Sequence, residues 1–321
     1  MNTIHIAVCI NDSYVIPGSV LIQSIGANKG SEQIMIHVLS LNELAEKTRS
    51  VLNAHAEKNR MKLEYHVFKV PDEIVHACIL RKDYWSPEIF AKLLISSILP
   101  DLSKVIVMDG DMIVCGNLLD IWLEDIKDYA LAGVIDSGFG SDAEVEKDIY
   151  YNSDGNSYLN AGLLLINLVY HREHNIQDSY IEWIKGNSEK INFPEQTVIN
   201  NVVYNKIKIL PLKYNLQFKS YVWKRKNNVY YSREERLEAY FNPLVIHYIG
   251  PYKPWHRCCP HPFVNEWNRY LKQTVFSKYT KEFPRGMNIS QMSLRAKTTM
   301  WLLWLNGRML RFLRIFKCRW I

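Results

Sequence analysis

The sequence predicts an α/β fold, a mainly parallel central sheet wrapped by helices, with a helical C-terminal tail. Three observations carry this expectation. Short apolar runs alternate with helix-period segments over residues 4–99, the order that builds a parallel sheet with crossover helices. Lys104-Val-Ile-Val-Met108 is then apolar almost without a break, as expected of a strand covered on both faces. That run ends in Asp109-Gly110-Asp111, and open sheets of this class gather ligands outside the carboxyl ends of their strands.

The elements follow in order. Strands are expected at 4–10, 34–40 and 63–70, with helices at 16–27, 42–58 and 87–99 between and after them. Asn42 is placed to cap the second helix, with Glu43 and Glu46 in its first turn. Beyond the strand at 104–108, extended segments are expected at 112–114, 130–135, 162–167 and 244–247, and helices at 171–187 and 196–205. Residues 211–242 form a polar, aromatic-rich stretch.

The bulk numbers fit one sizeable core with an appendage. The chain has 321 residues, 48% of them apolar and 22% charged, which excludes a disordered protein. We expect a catalytic domain over 1–275 and a tail over 276–321. The net charge of +6 belongs to that tail: residues 294–321 carry seven Lys and Arg and no acid, leaving the rest at −1. Six cysteines at irregular spacing argue against a disulfide framework and for reduced thiols. The ligand-type cluster His256, Cys258, Cys259 and His261 is too crowded for an ordinary structural zinc site. The N-terminus lacks a basic leader, and no run approaches the roughly 18 apolar residues of a spanning helix, so a cytosolic protein is expected.

The chemistry is concentrated at a few positions. Asp109 and Asp111 can face one hard cation while Gly110 keeps the space between them open. The same tripeptide also suits a simple strand-ending turn. His247 closes the last strand and supplies a third ligand of the right kind. It opens the segment His247-Tyr-Ile-Gly-Pro-Tyr-Lys-Pro-Trp-His256. There Gly250 lets backbone approach a phosphate and Lys253 can neutralise it.

Asp109-Gly-Asp111, Asn160-Ala-Gly-Leu-Leu-Leu-Ile-Asn167, Pro194-Glu-Gln196 and His247 to His256 together resemble glycosyltransferase family 8, retaining enzymes that include bacterial lipopolysaccharide galactosyl- and glucosyltransferases. The resemblance runs from residue 4 to about 260. It implies a GT-A fold, a Rossmann-like nucleotide-sugar-binding architecture, and a UDP-sugar donor. It further implies Mn2+ (or Mg2+) bridging the donor diphosphate to Asp109, Asp111 and His247.

The resemblance assigns further positions one at a time. Asn11, Asp12 and Tyr14 match the first strand and loop over the nucleotide, although the family usually has an aspartate where Asn11 stands. Lys92 stands where the family carries an arginine that reaches the donor, keeping the charge but not the bidentate fork. Asp136 and Asn160 match residues that contact the donor sugar. Glu195 and Gln196 match an acid and a glutamine near the anomeric carbon, but Thr197 replaces the family's following aspartate. An amide is a poor nucleophile beside a carboxylate, so front-face attack of the acceptor is expected, with Gln196 stabilising the electron-poor sugar.

In the tail, Trp301, Leu305, Met309, Phe312, Phe316 and Trp320 share one side of a helix, with Arg311, Arg314 and Lys317 mainly opposite. This pattern predicts an interfacial helix on an anionic membrane surface. Each basic residue there contributes about 1 kcal/mol. The expected setting is the inner face of a bacterial inner membrane, with an oligosaccharide or lipid-linked glycan acceptor and no nucleic acid. Two other readings compete. A haloacid-dehalogenase-type phosphatase shares the Asp-x-Asp after a strand but needs a later acidic pair absent here. A non-catalytic sugar-binding protein would not need Asp109, Asp111, His247 and Lys253 together.

Overall fold

The computed structural model describes residues 3–79, 87–137, 158–191, 193–217, 231–257, 259, 261–283 and 305. The tail's amphipathic pattern therefore lies outside the described residues, apart from Leu305. The body is a seven-stranded sheet in the order β3-β2-β1-β4-β7-β6-β8. Its strands are β1 (Thr3–Cys9), β2 (Gln33–Ser40), β3 (Lys62–Val67), β4 (Lys104–Met108), β6 (Leu131–Ile135), β7 (Leu159–Asn167) and β8 (Ile207–Ile209). A second, three-stranded sheet joins β5 (Met112–Val114), β10 (Val245–His247) and β9 (Leu216–Gln217) in the order β5-β10-β9. The described α-helices are α1 (Val15–Asn28), α2 (Glu46–Lys58), α3 (Asp72–Ile79), α4 (Ala91–Ile98), α5 (Leu119–Trp122), α6 (Leu168–Glu173), α7 (Ile176–Asn187), α8 (Pro194–Val202), α9 (Arg233–Phe241) and α10 (Val264–Leu271).

The mainly parallel α/β sheet is present, with one exception that matters. β7 runs against both neighbours, β4 and β6. The last residue of β4, Met108, therefore pairs with Leu163 near the start of β7. The next residue, Asp109, donates its backbone N–H to Gly162 O at 2.8 Å. This reversal carries Asn160 to the carboxyl end of β4, where the two aspartates emerge. β4 is central because Val105, Ile106, Val107 and Met108 are all buried, as their unbroken apolarity requires.

Several element ends differ from the sequence expectation, for identifiable reasons. The second helix begins at Glu46 rather than beside Asn42. Its start is served from far away in sequence, by the Asp12 carboxylate accepting from Ala45 N–H at 3.1 Å. The helix expected over 171–187 is two helices, broken where Asn175 adopts φ 50°, a left-handed conformation that asparagine tolerates better than most residues. The stretch 211–242 contains α9, which starts with a capping box in which Ser232 and Glu235 satisfy each other's backbone N–H groups. The strand expected to reach residue 70 ends at Val67. The body's contacts run on to residues 282–283, where Arg257 N–H donates to Glu282 O at 2.9 Å.

The interior also holds histidines that must stay uncharged. Burial pushes the His171 imidazole from 6.5 down to about 4. A group with a depressed imidazole pKa binds protons more readily when unfolded, so its contribution is present above pH 6.5 and is lost as pH falls toward 4. A complete shift of this size is worth roughly 3 kcal/mol. We expect the thermal midpoint to fall between pH 7 and pH 4.5 and the His171→Phe variant to lose less, as read by calorimetry.

Candidate functional site: a three-ligand cation centre beside a polar amide network

Two backbone turns and one small sheet assemble the centre. β4 delivers Asp109, and the turn through Gly110 brings Asp111 round to β5. A Cβ on Gly110 would stand 2.9 Å from the Tyr14 ring, so glycine is required there for close packing. The second sheet pairs His247 with Met112, and Tyr248 N–H donates to Asp111 O at 3.0 Å. His247 Nε2 lies 3.2 Å from Asp111 Oδ1 and 3.7 Å from Asp109 Oδ2. The three ligand atoms fall within 4.8 Å of one another.

A relay of hydrogen bonds assigns the histidine tautomer. Gly162 N–H donates to Asn160 Oδ1 at 3.1 Å, while Asn160 Nδ2 donates to Asp136 Oδ2 at 2.9 Å, which orients that amide. Asn215 Nδ2 donates to the same Asn160 oxygen at 2.9 Å, leaving Asn215 Oδ1 to accept from His247 Nδ1 at 3.1 Å. With its proton on Nδ1, His247 presents a lone pair at Nε2. That lone pair faces Asp111 Oδ1 at 3.2 Å, a buried oxygen with no other hydrogen-bond donor among the described residues. Two acceptors facing each other in a buried place are costly unless a cation lies between them. The donor set of two carboxylates and one imidazole therefore fits a divalent ion.

Lysines surround the centre. Lys253 Nζ pairs with Asp111 Oδ2 and donates to Tyr248 O at 3.1 Å. Burial alone would raise the Asp111 carboxyl, but Lys253 overrides it and holds that group far below the usual carboxylate range. Lys92 is 2% exposed and lies 2.7 Å from Asp109 Oδ1 and 2.8 Å from Glu195 Oε1. Burial would lower its pKa, but the two carboxylates raise it well above the ordinary lysine value. Lys92 is thus a fixed cation that holds an acid from β4 against one from α8.

α8 is clamped over β7 by Asn200, whose side chain accepts from Leu159 N–H at 2.7 Å and donates to Leu159 O at 2.9 Å. One turn earlier, Gln196 Oε1 accepts from Ala161 N–H at 2.9 Å and from Asn160 Nδ2 at 3.3 Å. Gln196 Nε2 donates to Asp136 Oδ2 at 3.0 Å. Asp136, Asn160 and Gln196 therefore form one contiguous polar floor, joined through Asn160 and Asn215 to His247, while Glu195 is tied to Lys92.

The remaining expected residues divide. Tyr14 packs edge-on to Trp255 at 5.7 Å and against Gly110, and burial followed by Asp111 raises its hydroxyl pKa, keeping it protonated. Asn11 approaches Glu88 at 3.4 Å and accepts from Ser13 at 2.6 Å. Asp12 is engaged in capping α2 and is not brought to the centre. Gly250 adopts φ 90° with open space where a Cβ would stand, so its backbone conformation demands glycine.

Asn215 and Gly162 were not anticipated from the sequence. Nothing periodic marks Asn215 within its aromatic stretch. Gly162 lies under the His247 ring, which a Cβ would strike. We expect Gly162→Ala to displace that ring and weaken metal binding at least tenfold with both aspartates intact, measured by titration calorimetry. Asn215→Leu removes the acceptor that fixes the tautomer. Outer-shell partners of this kind are worth roughly 10–100-fold in metal affinity, and we expect a loss in that range by the same measurement.

A central strand ending in Asp-x-Asp, met by a histidine from a second sheet, gives this α/β protein three ligand-type atoms within 4.8 Å of one another at the carboxyl ends of its strands. Residues 5–259 match Glycosyl transferase family 8, and the chain belongs to that family. The phosphatase reading falls with this. A lipopolysaccharide 1,2-glucosyltransferase of Escherichia coli is 26% identical over 85% of this chain and 77% of its own length. A putative glycosyltransferase of Haemophilus influenzae is 30% identical over 60% of this chain, the match spanning 56% of that protein. The crystal structure of the galactosyltransferase LgtC with donor and acceptor sugar analogues superposes with TM-score 0.74 at 24% identity, covering 85% of this chain and 96% of that one. The fold is GT-A.

Proposed function

We propose that the chain transfers a hexose, glucose or galactose, from a UDP-sugar to a saccharide acceptor with retention of configuration, in the assembly of lipopolysaccharide core or another surface glycan. The observation that carries this reading is the pairing of an unsatisfied Asp111 oxygen with the His247 lone pair beside the Asp136–Asn160–Gln196 floor. When bound by Asp109, Asp111 and His247, a divalent ion, manganese or magnesium, neutralises the charge that grows on a departing diphosphate. Lys253 adds a fixed positive charge beside it without any proton transfer.

The sugar-facing chemistry follows from how the floor is held. Gln196 Oε1 is engaged by two N–H groups, and the Glu195 carboxylate is tied to Lys92. Neither is free to act as the nucleophile that a covalent intermediate needs. Front-face attack follows: the acceptor hydroxyl oxygen bonds to the anomeric carbon, the bond from that carbon to the diphosphate oxygen breaks, and the hydroxyl proton passes to the departing phosphate. Asp136 selects the sugar by accepting from its hydroxyls, and Asn160 orients that carboxylate. Tyr14 and Asn11 border the nucleotide.

The basic, aromatic tail holds the enzyme to an anionic cytoplasmic leaflet near a lipid-linked acceptor. Among the described residues no helix is long and apolar enough to cross a membrane. The test is UDP release from UDP-glucose and from UDP-galactose, each with and without manganese. Release from one donor that requires the metal supports the reading. Metal-independent release, or a covalent glycosyl adduct on Glu195 or Gln196, contradicts it.

A further inference from the structure

On the other side of β1 from the catalytic aspartates, three parallel strands bring histidines together. Tyr65 turns to α2, its hydroxyl donating to Asn53 Oδ1 at 2.9 Å. Its neighbours Glu64 and His66 therefore face the opposite side of the sheet, as strand alternation requires. His37 on β2 pairs in register with Glu64, and His5 on β1 shares that face. His37 Nδ1 lies 3.0 Å from His66 Nε2 and 3.5 Å from Glu64 Oε2. His66 Nε2 lies 3.8 Å from Glu64 Oε1.

We propose that His37, Glu64 and His66 form a second cation site, selective for zinc-class ions and structural in role. Three ligand atoms converge within 4.8 Å, and with the His37 proton on Nε2, His66 alone can place a proton among the lone pairs that face one another. A cation satisfies all three. The outer shell is already built: with His37 ligating through Nδ1, its Nε2–H donates to His5 Nδ1 at 2.9 Å, the support that metal-bound histidines regularly have. His37 is 3% exposed, so its ring is held in place between the neighbouring strands.

The donor set separates this site from the catalytic one. Two imidazoles and one carboxylate suit zinc and its neighbours, while two carboxylates and one imidazole suit harder ions. The Glu64 side chain is 55% exposed, so solvent can complete a tetrahedron. β3 is the edge strand of the sheet, and an ion bound here ties it to β2. Its effect is on stability rather than turnover.

The test uses the full chain stripped of metal and carrying Asp111→Asn, which disables the catalytic centre. Zn2+ is titrated against a chromophoric chelator, and Co2+ is added separately to read its visible bands. We expect one equivalent of zinc, tetrahedral cobalt absorption, and a thermal midpoint that rises with zinc. Adding His66→Gln or Glu64→Gln, both at partly exposed positions, should weaken zinc at least tenfold and abolish the zinc-dependent rise. No bound zinc in the Asp111→Asn protein, or zinc binding unchanged by both further substitutions, would overturn the proposal.

Discussion

Replacing Asp111 with alanine should reduce metal-dependent sugar transfer by about three orders of magnitude or more while leaving the fold intact. The carboxylate is buried and pairs with Lys253, and on the proposed reading it would also ligate the divalent ion. Its loss removes a ligand and leaves Lys253 without its anion. A bound cation stabilises developing charge by several kcal/mol, and each 1.36 kcal/mol is about tenfold in rate. The position ends a turn rather than filling the core, so the far-ultraviolet circular dichroism should not change. Initial rates of UDP release at saturating manganese decide it. A residual rate above about a tenth of wild type would show that Asp111 is not a ligand.

Lys92→Met should be the most destabilising single change at the site. Lys92 is the shared partner of Asp109 and Glu195, and all three were drawn together from β4, α4 and α8. Removing it leaves two carboxylates facing each other where one is almost fully enclosed. Breaking a buried charge arrangement in this way costs about 3–5 kcal/mol, which for a chain of this size lowers the thermal midpoint by roughly 10 °C. Adding Glu195→Gln removes one of the stranded charges, so the double variant should be more stable than Lys92→Met alone. Calorimetry on the four proteins of this cycle measures the coupling. If the double variant is no better than the single, Lys92 acts by packing and not by charge.

Much of this centre was legible in the sequence because its parts sit at strand ends. An apolar run such as 104–108 announces a buried strand, and a polar residue just beyond it can lie only at a sheet edge or in a site. Asp109, Asp111 and His247 stand out that way, whereas Asn160, at the head of its strand, comes only from the family resemblance. Glu195 and Gln196 come from the family resemblance, and α8 starts at Pro194 and ends at Val202, earlier at both ends than the 196–205 expected.

The parts that were not legible depend on contacts between distant segments. Asp12 caps α2 across 33 residues of sequence, so no local signal places that helix start at Glu46. β7 reads as a buried strand in either direction, because apolarity carries no sign; its reversal, which brings Asn160 to Asp109, comes from the tertiary fold. Asn215 lies in an aromatic-rich stretch and matters only through His247 and Asn160. The capping box at Ser232 was present in the sequence as a signal, and α9 follows it.

The central claim is that Asp109, Asp111 and His247 hold one catalytic divalent ion with the imidazole bound through Nε2. Pulsed electron paramagnetic resonance of Mn2+ in the full chain with UDP tests it most directly. The account predicts a single manganese environment with a nitrogen coupling from one histidine, lost in His247→Leu and altered in Asn215→Leu. Manganese bound with no nitrogen coupling, or a coupling that survives His247→Leu, would contradict it.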